Sequence, residues 1–451
     1  MKRARGLFLM LAACGFGSPS VERTDAPPVD APPDAPRAPC DLDDTWEQGK
    51  QPARTVHVSK TPGPGTPDGS AQNPFLSLGA AIPSIEPGVR ILLGPGDHAG
   101  ATITNRRGTA DAPIWIEGPA TGEPARIVGG SGTGLHLVGP QYWVIRNLEV
   151  TGLTQQPGIH VDDGGTPGSA HHVVIERVRV ASVVRPCLQL GGVDDVTIRD
   201  ATLASCDRGV MMLGVRTATI ARTTISSVDT AGIALAGGST DVDVRQNVIA
   251  NVEGGIGVWI GGDSDLGQFR PPLSALAGNA EARDIRVFDN VIRDVRDAIQ
   301  CSNCTSALVA HNLIRRASAY ALKLHQPYVA IDSFQFVPAG GVELANNAIE
   351  IGGSAEALFD PANGTDAGSC TFRHNLWLKP GGVWAPALPS PEIGGIYGAP
   401  SGYSDAGKLC MSTGSRAAGA GTPLPEVDGT LTGACRSSPP SIGPGEPDPG
   451  C

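Results

Sequence analysis

Lys323 and His325 stand two residues apart in the stretch Ala321-Leu322-Lys323-Leu324-His325, and Lys323 is the only lysine between Lys60 and Lys379. An amine whose pKa is lowered can abstract the proton beside a uronate carboxylate. An imidazole two residues on can assist, or can protonate the leaving oxygen. These two residues are therefore the candidate catalytic pair for β-elimination in an acidic polysaccharide. Trp259, Gln300 and Arg270 form the candidate substrate-binding set, because an indole can stack on a sugar ring and the other two offer hydrogen-bond donors. Asp263 and Asp265 fall in a segment, 261–283, that interrupts the surrounding pattern, and their carboxylates are candidate ligands for Ca²⁺.

Competing chemistries are weaker. Hydrolysis of a glycosidic bond needs two carboxylates flanking it. Asp162-Asp163 and Asp194-Asp195 supply the pairs, but Asp162 belongs to one strand set and Asp194 and Asp195 to the turn before another. His171-His172 sits at a turn, and we expect no carboxylate in coordinating register there. The sequence contains no GxSxG elbow, HExxH pair or P-loop, and no GxGxxG placed between a strand and a helix.

The elements that must hold these side chains recur. One set of short segments begins its apolar alternation at Leu188, Val210, Ile233, Ile256, Ile299 and Leu322, at spacings of 22, 23, 23, 43 and 23. Alternation two apart is a strand signal, and a uniform interval without helical periodicity is a solenoid signal. A second set keeps step with the first, starting at Val196, Val242, Ile285 and Ala307, so each coil holds at least two strands. The expected fold is an all-β, single-domain right-handed parallel β-helix with coils of about 22–23 residues. In the later coils one position of the second set becomes Asn247, Asn290, Asn312, Asn347 and Asn375, whereas earlier coils carry Leu148, Val178, Ala201 and Thr223. Stacked amides at a turn would bond from rung to rung. Outward positions of the first set run from His136 and His160 through Gln189, Met211, Ala234 and Gly257 to Gln300 and Lys323. A second row holds Asp162, Gly191, Ala236, Trp259, Ser302 and His325.

Composition bounds the partners. The formal net charge of -11 and the scarcity of lysine work against nucleic acid, whose recognition needs clustered cations. Lys2, Arg3 and Arg5 precede a short apolar run ending in Leu11-Ala12-Ala13-Cys14. Residues 1–13 read as a secretion signal, and the motif resembles the bacterial lipoprotein pattern, which implies lipidation of Cys14 and export to the outer membrane or cell surface. Residues 14–39, rich in Pro, Asp and Ala, read as an extended spacer, followed by the domain 40–451 with a loop-rich end, 380–451. The membrane is then a partner through the lipid only, and we expect a monomer. Nine cysteines remain after Cys14. Plausible bridges are Cys187 with Cys206, Cys370 with Cys410 and Cys435 with Cys451; Cys301 and Cys304 favour a bridge or a buried thiol, and Cys40 is the candidate left unpaired.

From Val56 to Glu446 the chain resembles the pectate-lyase-like right-handed β-helix superfamily. The resemblance is carried by Val56-His-Val-Ser59, Asn73-Pro74-Phe75, the segment from Gly88 to Gly96, and the closing Ser441-Ile442-Gly443-Pro444. It implies substrate on the outward side of the first strand set, and Ca²⁺ as the ion that acidifies the uronate proton. Many chemistries and some inert proteins share this scaffold, so two functions stay open: a lyase-like enzyme, and a non-catalytic carbohydrate-binding or adhesin-like surface protein.

Overall fold

Apolar residues two apart, at intervals near two dozen, can only be buried together if successive turns lie on one another. The computed structural model shows that arrangement. It describes residue 40 and residues 45–451 apart from 263, 277, 353–358, 381–385, 405–408 and 428. The segments read from sequence as a signal and a spacer, Cys14 and Asp263 therefore lie outside the described residues.

The chain is a right-handed parallel β-helix with three strands to most coils, one more than the minimum read from sequence. A representative coil runs through Val193–Arg199, Thr202–Cys206 and Arg208–Leu213, and each strand pairs in parallel with its counterpart one coil on. Inward Leu, Ile and Val side chains from all three faces form one continuous core from Val56 to Trp377. A short helix, Leu78–Ala81, capped by the Ser77 hydroxyl, turns Leu78 and Ala81 into that core at its first coils.

The strand register corrects one phase of the sequence reading. The partner of Ile233 and Ile299 is Val258, not Ile256. Two extra residues enter the coil between Val252 and Ile256, where Gly254 takes a φ of 72°. Ile256 is thereby turned to the outside, against Ala231, Ala234 and Trp259. Trp259 moves from the second outward row into the first, displacing Gly257 from it.

The asparagines form a hydrogen-bonded stack in the core. Nδ2 of Asn247, Asn290, Asn312 and Asn347 each donates to Oδ1 of the next asparagine at 3.0 Å. Each amide oxygen also accepts the backbone N–H of the preceding asparagine, and each Nδ2 donates to a carbonyl one coil back. All five residues are fully buried. The stack ends on the carboxylate of Glu392, which accepts from the Asn375 backbone at 2.9 Å and from Trp377 Nε1 at 3.1 Å. Burial pushes the Glu392 carboxyl above its usual range, partly offset by these donors.

The residue before each asparagine has a left-handed backbone: Gln246, Asp289, His311, Asn346 and His374 all have φ between 53° and 58°. That conformation costs a non-glycine residue about 1–2 kcal/mol, and its recurrence shows that the corner of the coil imposes it. The same five side chains hold the C-terminal segment. Gln246 donates to Thr430 O, Asp289 pairs with Arg436, and Asn346 donates to Thr422 O. His311 lies 3.3 Å from Gly443 O and His374 3.0 Å from Ala420 O. Burial, then the Arg436 charge, holds the His311 imidazole well below its ordinary pKa, so it stays neutral. The loop-rich end is thus a cover over the asparagine corner.

A second cover lies over the early coils. Glu117, Arg146, Glu176 and Arg199 succeed one another in register along one face, so charges alternate from rung to rung. Glu176 receives Arg199 at 2.8 Å, and Arg199 reaches out to Glu47 at 2.6 Å and the Thr45 hydroxyl at 2.8 Å. Trp46 packs beside them on Trp115, Val144 and Val174. The two covers are joined by a disulfide between Cys40 and Cys435.

That bond and the one between Cys410 and Cys451 overturn three cysteine expectations. Cys40 is paired, Cys435 does not bond Cys451, and Cys370 is a buried free thiol that does not bond Cys410. Cys410 bonds Cys451. The bridges Cys187–Cys206 and Cys301–Cys304 form as read. Sequence proximity suggested the wrong partners because the N-terminal strap and the C-terminal tail converge from opposite ends of the chain.

Candidate functional site

Parallel register lays one outward residue of each coil above the next, about 4.8 Å apart. The first row runs Thr102, His136, His160, Gln189, Met211, Ala234, Trp259, Gln300, Lys323 and Asp360. Beside it, Asp162, Gly191, Leu213 and Ala236 lead to Gly261, Ser302 and His325. The strip is polar at both ends and apolar between.

At its C-terminal end the structure brings together four of the sequence candidates. Trp259, Gln300 and Lys323 occupy three consecutive rungs, with His325 two residues along from Lys323. Leu322 and Leu324 point into the core, and Lys323 and His325 point out. The fully buried Ser302 hydroxyl links them, accepting from Trp259 Nε1 and from Gln300 Nε2, both at 2.9 Å. The same hydroxyl lies 3.5 Å from His325 Nδ1. The Lys323 ammonium lies over the Tyr320 ring, 5.8 Å from its centroid.

Asp297 was passed over by the sequence reading. It is fully buried one rung below Tyr320, and its Oδ2 accepts from Arg296 at 3.2 Å. Its Oδ1 has no partner among the described residues. Burial raises the carboxyl above its usual range, against the opposing pull of Arg296 and Lys323. Only folding reveals it, since an Asp in Arg-Asp-Ala-Ile resembles any strand-end charge.

Arg270 is elsewhere. The insertion turns toward the early coils, and Arg270 Nε meets Asp163 at 3.4 Å while its backbone N–H donates to Gly237 O. Arg270 lies against Gly214 and Gly238, both at positive φ, where a Cβ would collide with it. Asp265 is an exposed residue at the head of the turn Leu266–Gln268, its backbone carbonyl accepting the Gln268 N–H at 2.9 Å and its N–H donating to Gln268 Oε1 at 3.1 Å. The other described carboxylate of the insertion, Glu281, is fully engaged. It accepts from Gly237 N at 2.8 Å, Ser264 N at 2.8 Å, Ser264 Oγ at 2.7 Å and the Tyr328 hydroxyl. The described donors around Asp265 thus do not gather into an oxygen cage for Ca²⁺, and no chemical step is assigned to that ion.

Glu281 instead fastens a lobe. Phe269 packs on Phe336, Phe336 on Tyr328, and Asn279 bonds both Gln335 O and Ser274 O. The insertion and the loop after His325 therefore form one wall along the edge of the strip. Glu281→Ala should leave the Gly237 and Ser264 amides without their acceptor, at a cost of about 2–4 kcal/mol. Hydrogen exchange should show lost protection across 264–279 with the coils unaffected; unchanged protection there would sink this role.

The opposite end carries His136, His160 and Asp162. Asp162 Oδ2 lies 2.6 Å from His136 Nε2 and 3.3 Å from His160 Nε2, and the two imidazoles stack at 4.3 Å with 11° between their planes. Nearby, the expectation for His171-His172 is corrected. His171 is in register with Asp194, and His172 Nδ1 is 3.4 Å from Asp195.

Comparison with known proteins agrees with this architecture. The family model for a right handed beta helix region matches residues 133–266. Among solved structures, pectate lyase Pel9A superposes with a TM-score of 0.58 at 15% identity, covering 89% of this chain and 98% of its own. XylC in complex with xylose superposes at 0.55 and 10% identity, covering 86% and 98%. At these identities the likeness is one of fold. A search of curated proteins returns no relative.

Proposed function

We propose that this protein binds an acidic polysaccharide along the outer strip of its β-helix, at the end formed by Trp259, Gln300, Lys323 and His325. The observation that carries the reading is an indole, an amide, an amine and an imidazole on three adjacent rungs, beside a wall built by two loops. An indole packs on a sugar face, the imidazole bonds hydroxyls, the amine meets a carboxylate, and the buried Gln300 amide holds Ser302 in place behind them. A pectate lyase and a protein solved with xylose use the same scaffold, which supports a glycan as the ligand. The N-terminal motif supports a lipid anchor at Cys14 and a place at the cell surface.

The finer reading is cleavage. Acting as the free amine, Lys323 Nζ takes the proton beside the uronate carboxylate and becomes the ammonium, a C=C bond forms as the adjacent C–O bond breaks, and the leaving oxygen takes a proton from the His325 imidazolium, which becomes neutral. Along one strand the two side chains emerge about 7 Å apart, a separation that can straddle one glycosidic linkage.

The test is to offer the full chain pectate, alginate and glycosaminoglycans, with and without Ca²⁺, reading binding by calorimetry and unsaturated ends by ultraviolet absorbance. Trp259→Ala should weaken binding of the recognised glycan by about 1–2 kcal/mol, roughly tenfold, by removing the stacking surface. Binding to none of the panel would remove the glycan reading; binding without unsaturated ends would leave a lectin-like protein.

A further inference from the structure

The other polar end of the strip has a donor set of a different kind. Among the described residues, the His, Cys, Asp or Glu ligand atoms that converge in a group of three are those of His136, His160 and Asp162, all within 4.8 Å of one another. We propose that these three residues bind a divalent transition-metal ion, with Zn²⁺ the natural occupant, and leave further coordination positions open toward the outer face.

Register supplies the geometry. His136 and His160 are direct partners on adjacent rungs, and Asp162 follows His160 by two residues, so all three side chains leave the same face. Zinc bonds of about 2.0–2.1 Å to nitrogen and oxygen place neighbouring tetrahedral ligands about 3.3 Å apart. The His160–Asp162 contact already has that span, and the 2.6 Å His136 contact needs to open by only a fraction of an ångström.

The chemistry of the donors points the same way. Two nitrogens and one carboxylate oxygen suit Zn²⁺, Co²⁺ or Ni²⁺, whereas Ca²⁺ prefers an all-oxygen shell. The two imidazoles, stacked at 4.3 Å, both present Nε2 on the side of Asp162 Oδ2, so the three ligand atoms share one opening. Outer bonds hold the carboxylate in place: the Gly164 N–H donates to Asp162 Oδ1 at 2.8 Å, which leaves Oδ2 to the histidines. The next residue, Asp163, is pinned by Gly165 N and Arg270, so the whole turn is fixed. All three ligand side chains remain about a quarter exposed, at 24%, 24% and 22%, so an ion has access from solvent. With three protein ligands, an open position remains for water or for a hydroxyl or carboxylate of a bound sugar.

The experiment titrates the chelator-stripped full chain with ZnCl₂ by calorimetry, with CaCl₂ alone as the contrast. CoCl₂ provides a spectroscopic readout through its visible absorption bands. The expected result is Zn²⁺ binding that His136→Ala and His160→Ala each weaken by at least about tenfold. Asp162→Asn should act in the same direction, whereas His171→Ala should bind as the wild type does. The Co²⁺ bands should appear with the wild type and vanish in His160→Ala, while circular dichroism stays unchanged. No Zn²⁺ binding by the wild type, or a loss that follows His171 instead of His160, overturns the proposal. None of these readouts depends on glycan binding or turnover.

Discussion

Asn312→Ala is expected to lower the unfolding free energy by about 3–5 kcal/mol, because it strips buried groups of their partners in mid-stack. The amide of Asn312 donates to Val287 O at 2.8 Å and to Asn347 Oδ1 at 3.0 Å, and accepts both the Asn290 backbone N–H and Asn290 Nδ2 at 3.0 Å. Alanine leaves the buried Asn290 backbone N–H without its acceptor and removes the donor to the Val287 carbonyl, while Asn290 Nδ2 keeps Val244 O and Phe288 O. Water has no ready route to them, since Asn290 and Asn312 are fully buried. Asn312→Asp should cost at least as much, because a carboxylate supplies acceptors where two donors are needed and adds a buried charge. Denaturant-induced unfolding measures both. A change under about 1 kcal/mol for the alanine variant would show that the stack is incidental to stability.

Lys323→Ala carries the largest expected effect on function. If the recognised glycan is cleaved, removing the base should reduce the rate of unsaturated-end formation by roughly 10²–10⁴-fold, the usual contribution of a positioned general base. Lys323→Arg separates charge from proton transfer: the cation and much of the glycan affinity persist, but the guanidinium cannot be deprotonated, so turnover should still be lost. Circular dichroism should not change in either variant, since Lys323 projects from the coil and Leu322 and Leu324 hold the strand. Normal turnover by Lys323→Ala would assign the chemistry to another residue. Asp297, buried beside it with a raised pKa, would then be the first to replace, as Asp297→Asn.

The repeat was readable because burial enforces it. Leu188, Val210, Ile233, Ile299 and Leu322 stack as their spacing requires, and Asn247 to Asn375 form the stack their alignment suggests. The reading slipped at Ile256 for a physical reason. Gly254-Gly255 absorbs two residues into a bulge, and an apolar residue on an outer patch looks like a core residue in sequence. It also failed wherever distant segments meet. Nothing local says that Cys40 bonds Cys435, that Glu281 gathers Gly237, Ser264 and Tyr328, or that Arg270 reaches Asp163. His136, His160 and Asp162 were each legible as outward residues. Their convergence becomes visible only when adjacent coils are compared for ligand atoms as well as for paired acids.

The bond between Cys40 and Cys435 also determines how the domain would bear mechanical load. A pull on the chain ahead of Cys40 would pass through sulfur to Cys435 and into the tail seated on Asp289 and Gln246. The strap at Trp46 and the opening strand Arg54–Val58 would be spared the peeling force. Under the tether proposed above, such a load would enter the domain at coils near its middle, with its first coils slack.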